Sequence, residues 1–308
     1  MLTTAASDIA RAVDALATVV LGKRETIRLS MACVLAGGHL LLEDLPGLGK
    51  TTLSQALARV LALDYQRIQF TNDLLPADVV GVSIFDREQG DFQFRPGPVF
   101  TQVLLADEIN RGTPRTQSAL LEAMAEQQVS VDGETRPLPE PFFVIATQNP
   151  ATHTGTYPLP ESQLDRFLMR LSLGYPDPDA ERDLLLGGGV APETLTPVLD
   201  PQRFLALSAE VSQVRVADAL LDYVQRLIAF TRSEDAFAVG LSPRGALALL
   251  NAAKAWALMA DRDHVIPEDV QAVLAAVVAH RVIPAASFAG DGRALVELMR
   301  TQVDVVAG

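Results

Sequence analysis

The sequence predicts an α/β fold in which a parallel sheet carries a phosphate-binding loop and is followed by an all-α domain. Three observations predict it. Up to about residue 172, short apolar runs of strand length alternate with helical patterns, which is typical of a parallel sheet buried on both faces. A Gly-x-Gly-Lys-Thr segment at 47–51 lies between the first of these strands and a helix. From about residue 200, apolar residues recur at helical spacing only.

Composition narrows the class of protein. The chain has 308 residues, which at about 150 residues per domain suggests two domains. It is 49% hydrophobic and 20% charged, so it can bury a large core. With 25 Lys and Arg against 38 Asp and Glu, the net charge is −13. A net negative charge argues against sequence-independent binding to the phosphate backbone of a nucleic acid, so we expect no nucleic-acid partner. A local basic channel is still compatible with this charge.

Cysteine usage and hydropathy predict the location. Cys33 is the single cysteine and cannot form an intramolecular disulfide, and no Cys/His cluster has zinc spacing, so we expect a cytoplasmic protein. Apolar runs such as 273–279 fall far short of the ~20 residues that a spanning helix needs. Apolar residues from Ile9 to Val20 form one stripe of an amphipathic helix, which is unlike a signal-peptide core. We therefore expect no insertion into a membrane.

Five short strands are predicted for the sheet. They are His39–Glu43, Tyr65–Phe70, Val103–Asp107, Phe142–Thr147 and Met169–Leu173.

Two further pairs of alternating segments predict β-hairpins that project from the α/β core. They are Val82–Asp86 with Asp91–Arg95, and Val129–Val131 with Glu134–Arg136. The second pair flanks Asp132-Gly133, a strong signal for a two-residue turn. Phe92 and Phe94 in the first hairpin either pack the hairpin or present a contact surface, and the sequence favours neither interpretation.

The second domain is predicted to be helical throughout. Its helices are predicted over Arg203–Val211, Ala217–Thr231, Arg244–Met259 and Glu268–Val282. Asp200-Pro201, Ser242-Pro243 and Ile266-Pro267 each place proline at a first helical position, where its missing N–H is not needed. Tyr175-Pro-Asp-Pro and Gly187-Gly-Gly precede these helices. We therefore predict a core over 1–173, a linker over 174–199 and a helical domain over 200–308.

The segment Leu-Leu-Leu-Glu-Asp-Leu-Pro-Gly-Leu-Gly-Lys-Thr-Thr at 40–52 is the most informative in the chain. In a strand–loop–helix of this kind, successive backbone N–H groups surround a β-phosphate. Gly47 and Gly49 permit the positive φ angles that this requires. Lys50 can supply a cation to the β- and γ-phosphate oxygens, and the Thr51 hydroxyl can bind Mg²⁺. The alternative is an ordinary glycine turn before a helix.

A nucleotide site also needs acidic residues at the end of a neighbouring strand. Asp107 and Glu108 end the run Val103-Leu-Leu-Ala. Asp107 would hold Mg²⁺ through water, and Glu108 would orient and deprotonate the attacking water. Taken alone, the pair is equally compatible with stabilising a helix dipole. Asn149 follows the next strand and is placed to hydrogen-bond the γ-phosphate or the water, although a lone Asn before Pro is more often a turn residue.

In their order along the chain, these segments resemble the AAA+ ATPases, and more closely the MoxR family. The segments that carry the resemblance are 41–51, Arg67-Ile-Gln-Phe-Thr-Asn-Asp-Leu-Leu-Pro-Ala-Asp at 67–78, Asp107-Glu-Ile-Asn-Arg at 107–111, Leu-Asp-Arg-Phe at 164–167 and Leu-Ser-Pro-Arg-Gly at 241–245. Together they span nearly the whole chain. Asp44 replaces the first glycine of the general phosphate-loop pattern but is similar to MoxR sequences. Asn72 stands where the family usually has Pro.

The resemblance implies a role for each site residue. Walker A, with ATP as ligand, would comprise Pro46, Gly47, Leu48, Gly49, Lys50, Thr51 and Thr52. Thr51 and Asp107 would hold Mg²⁺, Glu108 would be the catalytic Walker B acid and Asn149 sensor 1. Arg166 looks like an arginine finger for the neighbouring subunit, and Arg244 like sensor 2. Gly22 lies where the adenine pocket is expected. The segments 80–98 and 129–136 match the helix-2 and pre-sensor-1 insertions, and the helical domain matches a lid.

The resemblance implies a chaperone-like ATPase that remodels or matures client proteins, often with von Willebrand factor A domains. It also implies that the protein works as a ring, and we expect a hexamer. Three alternatives are open at this point. They are a magnesium-chelatase-like motor subunit, a nucleotide-dependent binding switch that hydrolyses slowly, and a DNA-handling AAA+ protein, which the charge disfavours.

Overall fold

The computed structural model describes residues 4–149 and 156–305. The helices are α1 (Thr4–Ala17), α2 (Arg24–Leu35), α3 (Lys50–Val60), α4 (Pro76–Val80), α5 (Pro114–Glu126), α6 (Glu161–Leu164), α7 (Pro178–Leu185), α8 (Pro201–Gln213), α9 (Asp218–Ser233), α10 (Pro243–Met259), α11 (Pro267–Val278) and α12 (Gly292–Gln302). The strands are β1 (Leu40–Glu43), β2 (Tyr65–Gln69), β3 (Gly81–Asp86), β4 (Asp91–Pro96), β5 (Val103–Asp107), β6 (Gln128–Val131), β7 (Glu134–Pro137), β8 (Phe143–Gln148), β9 (Met169–Leu171), β10 (Phe237–Val239) and β11 (Ile283–Pro284).

The central sheet has five strands in the order β2-β5-β8-β1-β9, and every pairing is parallel. The five predicted strands and their parallel arrangement are therefore confirmed. The register places Glu43 beside Gln148, and Gln69 beside Asp107. The polar residues that end β1, β2, β5 and β8 consequently meet at one edge, the edge at which open α/β sheets bind ligands.

Both faces of the sheet are buried, and the side-chain alternation of β1 shows how. Leu40 and Leu42 pack into a cluster that contains apolar residues of α1, α2, α3 and the helical domain. Leu41 points the other way, into a cluster formed with α5 and the base of the second hairpin. Successive residues of a strand face opposite sides, so a strand apolar at every position is the one that both layers can cover.

Both predicted hairpins are present. β3 pairs with β4, and β6 pairs with β7, each antiparallel. Asp132 and Gly133 both have positive φ, 55° and 80°, as the two central residues of a type I′ turn require. The sequence left open whether Phe92 and Phe94 pack the hairpin or present a contact surface, and the structure gives a different answer for each. Phe94 packs edge-to-face on Phe100 and under the Arg136 guanidinium, whereas Phe92 is 67% exposed.

The helical domain follows its predicted proline signals. Pro201, Pro243 and Pro267 are each at the start of a helix, and the Asp200 and Ser242 side chains accept hydrogen bonds from the backbone N–H three residues on. The prediction that this domain is helical throughout is wrong in one detail. β10 and β11 form a short antiparallel ribbon that joins the end of α9 to the segment before α12.

Several helices were not located from the sequence, and α7 and α12 are two of them. α7 lies inside the predicted linker 174–199, so that segment is partly helical. α12 has no proline before it and begins at an Asp291 cap. Within the described part of the chain, no helix combines the length and the apolar character that crossing a membrane demands.

Candidate nucleotide-binding site

The loop between β1 and α3 has the backbone of a phosphate-binding loop. Gly47 and Gly49 have φ of 84° and 87°, in the left-handed region that L-residues avoid. A Cβ at either position would meet nothing within 4 Å. The glycines are therefore needed for their backbone conformation and not for lack of space. α3 begins at Lys50, so its unpaired N-terminal N–H groups face the loop and favour an anion.

Lys50 lies at the centre of this loop. Its ammonium donates to the carbonyl oxygens of Asp44 (2.6 Å) and Leu45 (2.9 Å), and lies 3.4 Å from Asn149 Oδ1. Burial lowers the pKa of Lys50, and the negative charges of Asp44, Asp107 and Glu108 oppose that shift only in part. The ammonium thus has neutral carbonyl partners, which phosphate oxygens, as charged acceptors, can replace.

Asp107 is buried at the end of β5, with both oxygens engaged. Oδ1 accepts from the Thr147 hydroxyl at 2.5 Å. Oδ2 accepts from Arg67 Nη2 at 2.6 Å and from Arg67 Nε at 3.2 Å. These donors fix the carboxylate at the sheet edge, facing the loop that carries Lys50.

Glu108 has an unusual backbone and a well-held side chain. Its φ of 52° is positive, which is uncommon for a residue with a Cβ. Its N–H donates to Thr147 Oγ1 at 2.9 Å. Its Oε2 accepts from Gln69 Nε2 and Arg111 Nη1, both at 3.0 Å, and its Oε1 accepts from Asn149 Nδ2 at 3.2 Å. The side chain is 24% exposed, so solvent reaches the carboxylate.

Asn149 joins the two halves of the site. Its amide nitrogen donates to Glu108 and its amide oxygen faces the Lys50 ammonium. Its own carbonyl accepts from Asn110 Nδ2 at 3.1 Å, which holds the end of β8 against the turn after β5. The residue that should sense the phosphate is thus in contact with both the phosphate-binding cation and the acid.

A cavity of about 330 Å³ opens between these groups. It is lined by residues of the loop, of α3 and of the ends of β5 and β8: Pro46, Gly47, Gly49, Lys50, Thr51, Thr52, Asp107, Glu108 and Asn149. The donor set is one lysine, two hydroxyls and a helix N-terminus, opposite two carboxylates. This chemistry fits a polyphosphate bound with a divalent cation. Leu48 is in the same loop but does not line the cavity.

The structure does not bring Arg166, Arg244 or Gly22 into this cavity. Arg166 and Arg244 instead line a second cavity, of about 320 Å³, between the segment after α2, the segment before β9 and α10. No residue lines both cavities among those described. Arg166 donates to the Leu121 carbonyl at 2.6 Å, and the Arg244 side chain is 65% exposed with Asp165 Oδ2 at 3.9 Å.

A buried arginine of the helical domain orders the segment that carries Arg166. Arg281 is 3% exposed, and its Nε donates to Asp165 Oδ1 at 2.7 Å. It also donates to the carbonyls of Asp165, Phe167 and Leu168. The position of Arg166 therefore depends on how the helical domain sits on the core.

Gly22 lies against the start of α7. Its φ is 69°, and a Cβ there would come within 2.8 Å of Ala180 Cβ and Asp177 Oδ2. Lys23 Nζ donates to the Tyr175 carbonyl at 2.5 Å. The loop that contains Gly22 is thus packed against the chain that leaves β9.

The sequence reasoning missed four residues that hold the two acids in place: Arg67, Gln69, Arg111 and Thr147. Thr147 carries a weak signal, because it is a polar residue in an otherwise apolar buried strand. Arg67 and Gln69 alternate with apolar Ile68 on β2. This alternation indicates a strand, but it does not indicate that the strand pairs with β5, which carries Asp107. Within the described residues, no group of three or more His, Cys, Asp or Glu is arranged to hold a metal.

Comparison with known proteins agrees with this geometry. Residues 39–169 match the model of the ATPase family associated with various cellular activities (AAA), and residues 229–299 match an AAA lid domain. The chain is 48% identical to YeaC of Bacillus subtilis (strain 168), over 96% of this chain and 94% of that protein. It is 41% identical to Chaperone MoxR1 of Mycobacterium tuberculosis, over 89% of this chain and 75% of that one.

Two further matches cover nearly full lengths. Protein MoxR of Paracoccus denitrificans is 36% identical, over 92% of this chain and 90% of that one. A crystal structure of a candidate ATPase from Cytophaga hutchinsonii superimposes with a TM-score of 0.89 at 35% identity, covering 99% of this chain and 96% of that one. With the phosphate loop, the acidic pair and the lid in the expected order, the chain belongs to the MoxR family of AAA+ ATPases.

Proposed function

We propose that this protein is a chaperone-like motor that hydrolyses ATP and uses the resulting movement of its lid to remodel client proteins. The observation that carries the proposal is the cavity in which Lys50, the N-terminus of α3, Asp107, Glu108 and Asn149 converge. A cation and free N–H groups on one side face a solvent-reachable carboxylate on the other. That arrangement suits a triphosphate and an attacking water.

The residues divide the work of hydrolysis. Backbone N–H groups from Gly47 to Thr52 bind the phosphates, and Lys50 exchanges its two carbonyl partners for β- and γ-phosphate oxygens. Glu108 accepts a proton from the attacking water. At the same time the water oxygen bonds to the γ-phosphorus, and the bond between the γ-phosphorus and the ADP oxygen breaks. Asn149, which already contacts Lys50 and Glu108, keeps the phosphate and the acid in register.

Mg²⁺, when bound, neutralises negative charge on the phosphate oxygens, and Thr51 and Asp107 are the residues that would hold it. Thr51 lines the cavity at the start of α3. Asp107 faces it from β5, fixed by Thr147 and Arg67. The adenine is assigned to the neighbourhood of Gly22, where the loop before α2 meets α7.

The site is completed by a neighbouring subunit. Arg166 and Arg244 line a cavity away from the phosphate loop of their own chain, and the segment of Arg166 precedes β9, the edge strand of the sheet. Because these two cations line a cavity separate from their own nucleotide site, we assign them to the nucleotide of the next copy. Together with the family resemblance this supports a homo-oligomeric ring, and we assign it six subunits, cytoplasmic location and no nucleic-acid partner.

Client work is the second part of the proposal. One relative is named a chaperone, and the family resemblance suggests clients with von Willebrand factor A domains. The exposed phenylalanines Phe85 and Phe92 on the first hairpin, 50% and 67% exposed, are available for contact with a client.

The direct test is phosphate release together with isothermal titration of ATP. Lys50→Ala removes the cation, so ATP binding should weaken. Glu108→Gln keeps the donors of the cavity, so ATP should bind normally while hydrolysis falls at least ~10²-fold, the usual magnitude of general-base catalysis. Glu122→Gln, at an exposed position on α5, is the matched control and should leave both unchanged. Hydrolysis by Glu108→Gln at the wild-type rate would refute the assignment of the base.

A further inference from the structure

Asp44 occupies the first position of the phosphate loop, and its side chain faces away from the phosphate cavity. Asp44 Oδ2 accepts three hydrogen bonds, from Leu173 N (2.6 Å), Gly174 N (2.8 Å) and Ser172 Oγ (2.9 Å). We propose that Asp44 is a positioning residue that transmits nucleotide occupancy from the phosphate loop to the chain that leaves β9 towards the lid. The inference rests on the proposed function, since it assigns a role within that nucleotide cycle.

The backbone of Asp44 is the end of this connection that senses the phosphate. Its carbonyl oxygen is the nearest acceptor of the Lys50 ammonium, at 2.6 Å, and the Leu45 carbonyl is next, at 2.9 Å. Phosphate oxygens are charged acceptors and compete for the same ammonium. When Lys50 turns to a phosphate, the backbone at 44–45 loses its strongest partner and is free to shift.

The Asp44 carboxylate is the part of the residue that acts on the chain leading from β9 towards the lid. Gly174 has φ of 62°, so the backbone turns there and presents two consecutive N–H groups to one oxygen. Such a pair of N–H groups forms an anion-binding nest. A charge-assisted contact of this kind is about twice as strong as a neutral hydrogen bond. A shift of the Asp44 backbone therefore pulls on residues 172–174.

The charge of Asp44 also explains why its side chain must be held. An anion in the phosphate loop would repel a triphosphate, and Lys50 already has Asp107 and Glu108 near it. Three donors on Oδ2 compensate the carboxylate and keep it off the cavity, whose lining does not include Asp44. The glycine of the general phosphate-loop pattern avoids the repulsion but makes no link to residues 172–174.

The segment beyond Gly174 continues to the lid along the loop before α2. The Tyr175 carbonyl accepts from Lys23 Nζ, Gly22 packs against the start of α7, and Val190 N donates to the Thr18 carbonyl at 3.0 Å. A displacement at 172–174 is therefore passed to the loop before α2 and to the start of α7 through these contacts, before the exposed stretch at 181–190.

Hydrogen exchange measured by mass spectrometry on the full chain, with and without a non-hydrolysable ATP analogue, tests the proposal. In wild type the analogue should change the exchange of the Leu173 and Gly174 amides. Asp44→Gly should raise the exchange of these amides about tenfold or more without nucleotide, because charge-assisted bonds to them are lost. Their response to the analogue should disappear, while analogue affinity stays within about fivefold of wild type, as expected for a loop with the general pattern.

Two variants complete the design. Glu43→Gln removes the adjacent carboxylate, which contacts Gln148 and Arg170, and should respond to the analogue as wild type does. Ser172→Ala removes only the side-chain donor to Asp44, so it should raise the exchange of the Leu173 and Gly174 amides less than Asp44→Gly does. If Asp44→Gly does not fold, the result with Ser172→Ala decides whether the inference holds.

An undiminished analogue response at residues 172–174 in Asp44→Gly, or in its absence no effect of Ser172→Ala on these amides, would overturn the inference alone. Loss of analogue binding in Asp44→Gly but not in Glu43→Gln would also overturn it, because Asp44 would then belong to the nucleotide site itself. Failure of wild type to bind the analogue would defeat the proposed function, and the inference with it.

Discussion

Acid should destabilise this fold through two buried histidines, and the effect of one of them is quantifiable. His39 immediately precedes β1, the strand that leads to the phosphate loop, and its ring lies between α5 and β8. Its Nδ1 accepts from Val144 N at 3.0 Å and its Nε2 donates to the Met124 carbonyl at 3.2 Å, so the neutral ring satisfies both contacts. Burial lowers the pKa of His39 from 6.5 to about 4. Burial and the Arg281 guanidinium lower the pKa of His280 well below its usual value.

The sign follows from where protons bind. Between pH 6.5 and pH 4 the unfolded chain protonates His39 and the folded chain does not. The free energy of unfolding is therefore highest above pH 6.5 and falls as the pH is lowered. One histidine contributes a slope of up to about 1.4 kcal/mol per pH unit, and His39 alone accounts for about 3 kcal/mol by pH 4. His280 increases the slope in the same direction.

Urea unfolding followed by circular dichroism at pH 7.5, 6.5, 5.5 and 4.5 measures this slope. His39→Gln should be less stable than wild type at pH 7.5. Its free energy of unfolding should fall less steeply as the pH is lowered, by up to about 1.4 kcal/mol per pH unit, the contribution of one histidine. His264→Gln is the control, because that ring is 54% exposed. A wild-type free energy of unfolding that is flat from pH 7.5 to 5.5, or a slope unchanged in His39→Gln, would show that the ring is not held neutral.

Three further outcomes are expected. Gly49→Ala should weaken ATP binding, measured by titration calorimetry, about tenfold, because a left-handed φ costs an L-residue about 1–2 kcal/mol. Gly133→Ala is the control: it bears a similar strain at a hairpin tip and should leave ATP binding unchanged. Deleting residues 130–135 and closing the gap with a short turn should preserve ATP binding and change the melting temperature little, yet abolish client remodelling; a large drop in melting temperature would mean that the tip is structural. Thr147→Val removes the hydroxyl that contacts both Asp107 and the Glu108 N–H, so ATP turnover should fall at least about tenfold, with a stability loss of about 1–3 kcal/mol measured by urea unfolding.

Much of the fold was predictable because its signals are local. The strands β1, β5 and β8 are largely apolar runs, and Asp132-Gly133 specifies its turn without help from the rest of the chain. The proline-marked helix starts at Pro201, Pro243 and Pro267 are equally local. The order β2-β5-β8-β1-β9 follows from none of these segments individually and was not predicted.

What the sequence did not predict depends on which elements become neighbours. Arg67 contacts Asp107 only because β2 pairs with β5, 40 residues away in the chain. The ribbon of β10 and β11 forms from segments too short to show a strand pattern. The carboxylate of Asp44 was visible as a departure from the general loop pattern, but its partners at 172–174 are brought to it by the edge strand β9.

The central claim is that two subunits together form one working ATPase site, with Arg166 reaching the nucleotide of the next copy. It predicts that the ATPase activity per subunit rises with protein concentration, because an isolated chain lacks the second cation that the transition state needs. Such a cation is worth ~10³–10⁵ in rate where it acts in trans.

The most direct measurement is ATP turnover in mixtures of Arg166→Ala with Lys50→Ala. Arg166→Ala should bind ATP almost as well as wild type but lose turnover, and Lys50→Ala should be inactive. In an equal mixture about a quarter of the interfaces join an intact Lys50 to an intact Arg166, so about a quarter of wild-type activity should return if the two act across the interface. Activity per subunit that stays flat on dilution, with no recovery on mixing, would contradict the account.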